Sequence, residues 1–283
     1  KNHKVLYNKL KIKKVYQIYK RFEKNLIINK NFVVAVSGGP DSLALAFLAK
    51  IYSIKKNIKC YFFIVDHKLR KESTKEAIQV KNILKKFLIN CKILTWNRNK
   101  FLKKTQANAR KKRFSLLFNE CNKKKIKYIL LGHHSEDLFE NFFIRMLRGS
   151  GLRGLVSFST ITQDNKINLV RPLLNFRKVD LVYLTSNVFN YYVNDPSNKD
   201  EKYKRIIVRN LLKNLETQGL DKNKLNLTIQ NLRESDEVIK FYVNQNIKKN
   251  SFFHNKMNYF ILNNRFFDQP KEIVFRSLSN IIK

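Results

Sequence analysis

The sequence predicts an α/β protein: a doubly wound, mostly parallel sheet followed by a small helical C-terminal appendage. Three observations carry this. Short apolar runs alternate with helical stretches four times between residues 32 and 148. The first run, Phe32-Val33-Val34-Ala35-Val36, is apolar at every position, as a strand covered on both faces should be. Six of the seven glycines gather at three places, Gly38-Gly39, Gly132 and Gly149/Gly151/Gly154. A chain this sparing with glycine keeps it where a side chain would obstruct the backbone or a ligand.

The elements follow in order. Leu6, Leu10, Val15, Ile18 and Phe22 recur at helical spacing with Lys between them, predicting an amphipathic lead-in helix over residues 5–22. Phe32–Val36 is the first strand and Leu43–Ile54 its helix. Lys59–Val65, Cys91–Trp96 and Tyr128–Leu131 read as further strands, with helices over Thr74–Leu88, Thr105–Asn122 and Glu136–Arg148. Beyond Gly154 the pattern loosens. Arg171-Pro172 and Asp195-Pro196 punctuate helical stretches near 176–189 and 203–215. A long helix is expected from Asp221 to Ile247, then an irregular, aromatic-rich tail. The expected organisation is a lead-in helix (1–30), an α/β domain (31–219) and a helical C-terminal appendage (220–283). Ligands of such sheets bind outside the carboxyl ends of the strands. The loop Ser37–Ser42, Asp66-His67 and Gly132–Glu140 should therefore share one edge.

Composition narrows the partners. Apolar residues make up 43% of the 283, enough for a core. Lys and Arg number 58 against 21 acidic residues, a formal charge of +37. Either a polyanion is a normal partner or coding bias toward Lys, Asn and Ile supplies part of the excess. Cys60, Cys91 and Cys121 lack C-x-x-C spacing, so no thiolate clamp for zinc or an iron–sulfur cluster is expected, and the odd count suits a reducing cytosol. No apolar run approaches the ~20 residues that span a bilayer. Lys interrupts the N-terminus too often for a signal peptide, so a cytoplasmic protein with no membrane partner is expected.

Ser37-Gly38-Gly39-Pro40-Asp41-Ser42 joins a strand to a helix. Two glycines allow a tight turn that brings N–H groups to an anion, and the helix N-terminus favours phosphate. Asp41 would repel phosphate unless it holds Mg²⁺ bridging to it. The bland reading is an ordinary turn with a capping Asp or Ser. No G-x-x-x-x-G-K-[ST] is present, which excludes a Walker-type loop. Gly149-Ser150-Gly151-Leu152-Arg153-Gly154 matches G-x-G-x-x-G but follows a helix, so it reads as a flexible helix exit whose Arg148 and Arg153 can reach a polyanion.

Glu136, Asp137 and Glu140 stand within five residues at a helix start. Together they call for a cation, either Mg²⁺ or an amine, or they answer the helix dipole. His133 and His134 suit hydrogen bonding to a nucleotide, with a core or surface role the rival. Residues 97–113 hold eight Lys/Arg (Arg98, Lys100, Lys103, Lys104, Arg110, Lys111, Lys112, Arg113) and no acid, a one-signed run that suits phosphates. Arg145, Arg148, Lys204, Arg205 and Arg209 extend it. Tyr191, Tyr192 and Tyr203 suit base stacking or, more simply, core packing.

Ser-Gly-Gly-x-Asp-Ser after a first strand resembles the loop of the pyrophosphate-loop ATPases, which split ATP into AMP and pyrophosphate. Further ordered matches are narrower. These are Asp66-His67-Lys68-Leu69-Arg70, Asn108 through Arg113, Gly132-His133-His134-Ser135-Glu136-Asp137, Leu147–Leu152, Arg171-Pro172-Leu173-Leu174 and Asp195-Pro196-Ser197-Asn198. Over roughly residues 30–215 the set resembles the tRNA(Ile)-lysidine synthetases. Those usually carry Asp-Asp-x-x-Glu-Thr where this chain has Glu136-Asp137-Leu138-Phe139-Glu140-Asn141. The first acid is longer and the threonine is replaced.

The resemblance implies an adenine nucleotide alpha hydrolase-like fold and a ligase that joins free lysine to C2 of the wobble cytidine of a CAU-anticodon tRNA(Ile). The cytosine C2 oxygen attacks the α-phosphate of ATP, pyrophosphate leaves, and the lysine amine displaces AMP. The implied roles are catalysis by Asp41, Asp137 and Glu140; ATP binding by Ser37, Gly38, Gly39, Pro40, Asp41, Ser42, Asp66, His67 and His133; Mg²⁺ binding by Asp41 and Asp137; and tRNA binding by Arg110, Arg113, Arg148, Arg205 and Arg209. The resemblance makes residues 31–219 the catalytic domain and 220–283 a tRNA-binding appendage, and a homodimer is left open. The rivals are another pyrophosphate-loop enzyme such as a tRNA thiolase, and a non-catalytic RNA-binding relative.

Overall fold

The computed structural model describes residues 3–66, 68, 72–96, 106–194 and 204–282. His67, Leu69, Arg70, Arg98, Lys100, Lys103, Lys104, Asp195-Pro196-Ser197-Asn198 and Tyr203 lie outside the described residues. The chain forms two compact units, Lys1–Asn141 with Phe158–Val208, and Phe142–Ser157 with Arg209–Lys283.

The expected lead-in helix is two helices, α1 (Lys4–Lys9) and α2 (Lys13–Asn25). The chain turns between them because Ile12 is extended (ψ 112°), and Leu10 and Ile12 pack against the core. Then come β1 (Phe32–Val36), α3 (Pro40–Lys55), β2 (Cys60–Asp66), α4 (Ser73–Lys86), β3 (Cys91–Thr95), α5 (Gln106–Lys123), β4 (Tyr128–Leu130) and α6 (Ser135–Met146), close to the boundaries expected from sequence. The looser region resolves into α7 (Leu152–Leu155), β5 (Ile161–Asp164), β6 (Ile167–Val170), α8 (Lys178–Phe189), α9 (Lys204–Thr217) and α10 (Lys222–Asn250). The chain ends with β7 (Ser251–His254), β8 (Tyr259–Leu262), a 3-10 turn at Asn264–Phe266 and α11 (Lys271–Ile281).

The first unit is a six-stranded sheet in the order β3-β2-β1-β4-β6-β5. Five strands are parallel, and only β5 pairs antiparallel, with β6. The strand alternation of β1 explains the double winding. Phe32, Val34 and Val36 pack into one core with residues of α2, α3, α4 and α8, whereas Val33 packs into a second with Leu117 and Cys121 of α5. Each such side chain fully buried stabilises the fold by about 1.5–3 kcal/mol. The order reverses between β1 and β4, which opens a crevice at their carboxyl ends.

The β5–β6 hairpin was not foreseen. Its turn residues, Asn165 and Lys166, both have positive φ (47° and 63°), the conformation of a tight primed turn, without the glycine that usually signals one. In the second unit, the expected irregular tail contains the β7–β8 hairpin, with Phe252, Phe253, Tyr259 and Phe260 exposed. Among the described residues no helix is long and apolar enough to cross a membrane.

Gly132 follows β4 and sits against the first turn of α3. A Cβ there would lie 3.1 Å from both the backbone nitrogen and Cα of Ser42. Backbone cannot yield as a flexible side chain does. Gly132→Ala should therefore destabilise the protein by about 1–3 kcal/mol. A urea titration checks this; an unchanged midpoint would contradict the close approach.

Candidate active site

The loop after β1 is built to turn tightly. Gly38 has φ +90°, and a Cβ on it would meet Val80 at 2.9 Å and Val193 at 3.0 Å. Its carbonyl accepts from Val193 N–H at 2.9 Å, and the Pro40 carbonyl accepts from Thr185 Oγ1 at 2.7 Å. Pro40 stands at the start of α3, where its missing N–H forfeits no helical bond. The buried Ser42 hydroxyl accepts from the N–H groups of Ser37 and Gly38, each at 3.1 Å, and donates to the Gly39 carbonyl at 3.0 Å. Ser42 thus braces the loop, a role the sequence reading had not separated from phosphate binding.

A cavity of about 330 Å³ opens beside this loop, lined by Ser37, Gly39, Asp41, Ser42, Asp66 and His133 among others. Arg113 lines it too, a residue the sequence reading had set aside for tRNA. Its side chain remains exposed, and partial desolvation with repulsion from Arg110 lowers its pKa. Asp66 does local work: its carboxylate accepts from Lys68 N–H (2.9 Å), Ser73 Oγ (2.9 Å) and Thr74 Oγ1 (2.6 Å), shaping the turn into α4. Burial opposes its charge, but these bonds outweigh burial and lower its pKa.

The carboxyl end of β4 leads into α6 through His133 and His134, whose pKa values shift in opposite directions. His134 is buried, with Nδ1 2.8 Å from Glu136 Oε2 and Nε2 3.5 Å from Asp41 Oδ2 and 3.6 Å from Asp137 Oδ2. Burial opposes its charge; the bonds to Asp41 and Glu136 and the nearby Asp137 override this and push its pKa up to about 10. His133 lies edge-on to Phe158 at 5.2 Å. Burial, reinforced by Arg171, Arg205 and Arg110 against the pull of Asp137, brings its pKa down to about 3, so it is neutral.

The acids foreseen at the start of α6 do converge on cations. Asp137 accepts from the His134 backbone N–H at 3.1 Å, half of a capping box. Its Oδ1 accepts from Arg205 Nη2 at 2.9 Å, and Glu140 Oε2 from Arg205 Nε at 2.7 Å. Burial raises the pKa values of Glu136 and Asp137. His134 outweighs burial in both, aided by Arg205 at Asp137, taking Glu136 down to about 2. Arg205 is thus placed among the acids, and Asp41, Asp137 and Glu140 share one constellation. Asp41 Oδ1 is buried with no hydrogen-bond partner. A single free carboxylate oxygen completed by phosphate oxygens is the donor set Mg²⁺ accepts. Asp137 has both oxygens engaged. Among the described residues no three His, Cys, Asp or Glu side chains form a metal cage.

Arg148 and Arg209 belong to the second unit, and Arg148 is exposed just beyond α6. His67 lies outside the described residues. Sequence reasoning named Arg171 only within a motif. It is buried, lies over Phe158 at 4.7 Å, and donates from Nη1 to Ser159 O and Thr162 Oγ1. Burial, then Arg110, lowers its pKa to about 10. The one available signal was a charged residue closing the strand-like run Ile167-Asn168-Leu169-Val170. Cys91 and Cys121 are buried thiols whose pKa burial pushes up to about 12.

A family model described as a PP-loop domain matches residues 9–216. The chain belongs to the PP-loop domain family. PP-loop relatives include the tRNA(Ile)-lysidine synthase of Orientia tsutsugamushi, 41% identical over 66% of this chain and 42% of that protein. That of Wolbachia pipientis wMel is 33% identical over 88% of this chain and 58% of that protein. The chain spans about half the length of the curated relatives it matches. Among solved structures, the U34-tRNA thiolase NcsA from Methanococcus maripaludis, described with its [4Fe-4S] cluster, superposes with a TM-score of 0.64. The two are 17% identical over 78% of this chain and 79% of that one, a likeness of fold.

The raised pKa of His134 has a signed consequence. Its protonated form contributes stability that is complete below the ordinary pKa of 6.5 and is lost as pH rises through about 10. Unfolding free energy should fall across that window, and His134→Gln should flatten the fall. Urea titrations at a series of pH values measure it; parallel curves for the two proteins would refute the charged state.

Proposed function

We propose that this PP-loop protein ligates free lysine to C2 of the wobble cytidine of a CAU-anticodon tRNA(Ile), using ATP and releasing AMP and pyrophosphate in the cytoplasm. The observation that carries the reading is the convergence, at one sheet edge, of the tight Ser37–Ser42 loop, Asp41 with its unpartnered oxygen, and the cation-holding acids Asp137 and Glu140. Relatives named tRNA(Ile)-lysidine synthase support the choice of substrate.

In the first step the cytosine C2 oxygen bonds to the α-phosphorus of ATP as the bond to pyrophosphate breaks. The loop N–H groups and the positive end of α3 receive the departing pyrophosphate. Mg²⁺ would be held by Asp41 and supplies positive charge against the developing negative charge of the leaving group. Asp137 could join it only by releasing His134 or Arg205. Neutral His133 presents a ring to the nucleotide without further positive charge.

In the second step the lysine nitrogen bonds to C2 while the C2–O bond to AMP breaks. Asp137 and Glu140 orient the amine and accept the proton it sheds. The guanidinium of Arg205, bonded to both acids, marks a place already suited to a cationic side chain. Arg110 and Arg113 in the first unit, and Arg148 and Arg209 in the second, supply positive charge for tRNA phosphates.

Asp41→Ala should reduce tRNA-dependent AMP formation by at least 100-fold while leaving tRNA affinity within a few-fold. Normal turnover in that variant would exclude the role given to Asp41. AMP formation by the unaltered protein, measured with and without lysine, tests the reaction itself. Lysine-independent product, or none, would favour a thiolase or a non-catalytic RNA-binding protein.

A further inference from the structure

The second unit contains a cavity of about 220 Å³ that plays no part in the chemistry above. It is lined by Arg153, Lys240, Val243, Asn244, Arg276 and Asn280. Three of these are cations, two are amides, and no acid is among them. They come from α7, α10 and α11, and all belong to the same compact unit.

Arg276 is the built component. Only 4% of it is exposed, and it is held from behind: Nη1 donates to Asp236 Oδ1 at 2.6 Å and Nε to Glu272 Oε1 at 2.7 Å. Its Nη2 is buried with no hydrogen-bond partner. A buried donor left unmade costs about 1–3 kcal/mol, more when the group is charged, so the fold keeps it against a penalty. Lys240 is backed in the same way by Asp236 Oδ2 at 2.9 Å and Glu237 at 2.9 Å. Asp236, itself buried, thus orients two cations. Arg153 is exposed, on the segment Gly149–Gly154 whose G-x-G-x-x-G pattern follows a helix rather than a strand. Gly154 lets that segment fold closely, because a Cβ on it would meet Ser150 at 2.8 Å.

We infer that this cavity is a phosphate-binding site for the backbone of the RNA substrate. A fixed guanidinium, an ammonium, an exposed arginine and two amides offer donors in several directions, as a tetrahedral anion requires. An RNA phosphodiester is the source argued for, since the partner proposed above is a tRNA. The inference rests on that reading of the substrate. It assigns a role to Arg153, Lys240 and Arg276, which have none in the reaction.

The test is binding of a CAU-anticodon tRNA transcript to the full chain at several salt concentrations, with ATP binding measured in parallel. Arg153→Ala should weaken tRNA binding about 3- to 30-fold at moderate salt. It should also lower the slope of log affinity against log salt by about 1, with ATP binding unchanged. Lys240→Met should do the same. Arg276→Lys, which keeps the charge but loses the second nitrogen, should weaken binding without a change in slope. An unaltered slope and affinity in both Arg153→Ala and Lys240→Met, while the parent protein binds tRNA, overturns the site alone. Failure of the parent protein to bind tRNA overturns the substrate reading and this inference together. Competition by inorganic phosphate or AMP without any effect of the variants on tRNA binding would assign the cavity to a small anion and overturn the RNA source.

Discussion

The approach of the carboxyl end of β4 to the first turn of α3 is the constraint on which the site depends. A Cβ on residue 132 would crowd it, standing 3.1 Å from the backbone nitrogen and Cα of Ser42. The two strands that lead to it, β1 and β4, are neighbours in the sheet but nearly a hundred residues apart in sequence. The next two residues after Gly132 are histidines, and the close approach puts His134 within reach of Asp41. The anion-turning loop and the acidic helix start become one electrostatic unit through that imidazolium.

Charge within this unit is arranged by context. The two histidines are neighbours in the chain, yet one is held as a cation by carboxylates and the other as a neutral ring by desolvation and arginines. Glu136, Asp137 and Glu140 would repel one another if left to themselves. His134 and Arg205 separate them. The whole-chain excess of positive charge therefore says little about the site, where acids and bases are nearly matched.

Much of the fold was legible in the sequence, because period-2 and period-3.6 patterns with turn residues between them encode local structure directly. Phe32–Val36 and the helix after Gly39 are such cases. The glycine clusters pointed to the loop and to Gly132 for a reason the structure bears out at Gly38 and Gly132, where side chains would collide. The β5–β6 hairpin escaped because Asn165 and Lys166 adopt left-handed backbone without glycine. The division of labour among polar residues was also hidden. Arg205 meets Asp137 and Glu140 across more than sixty residues of chain, and no spacing rule encodes such a contact. The internal bonds of Asp66, which shape the turn into α4, and of Ser42, which brace its loop, are likewise invisible in the spacing.

The brace has a consequence for ligand capture. With the Ser42 hydroxyl already accepting from the N–H groups of Ser37 and Gly38, the turn satisfies its own donors. An arriving polyphosphate must compete with an internal acceptor for those two donors. Recognition there is an exchange of partners whose enthalpies nearly cancel, so selectivity for a multiply charged guest over a neutral one must come from field strength and shape.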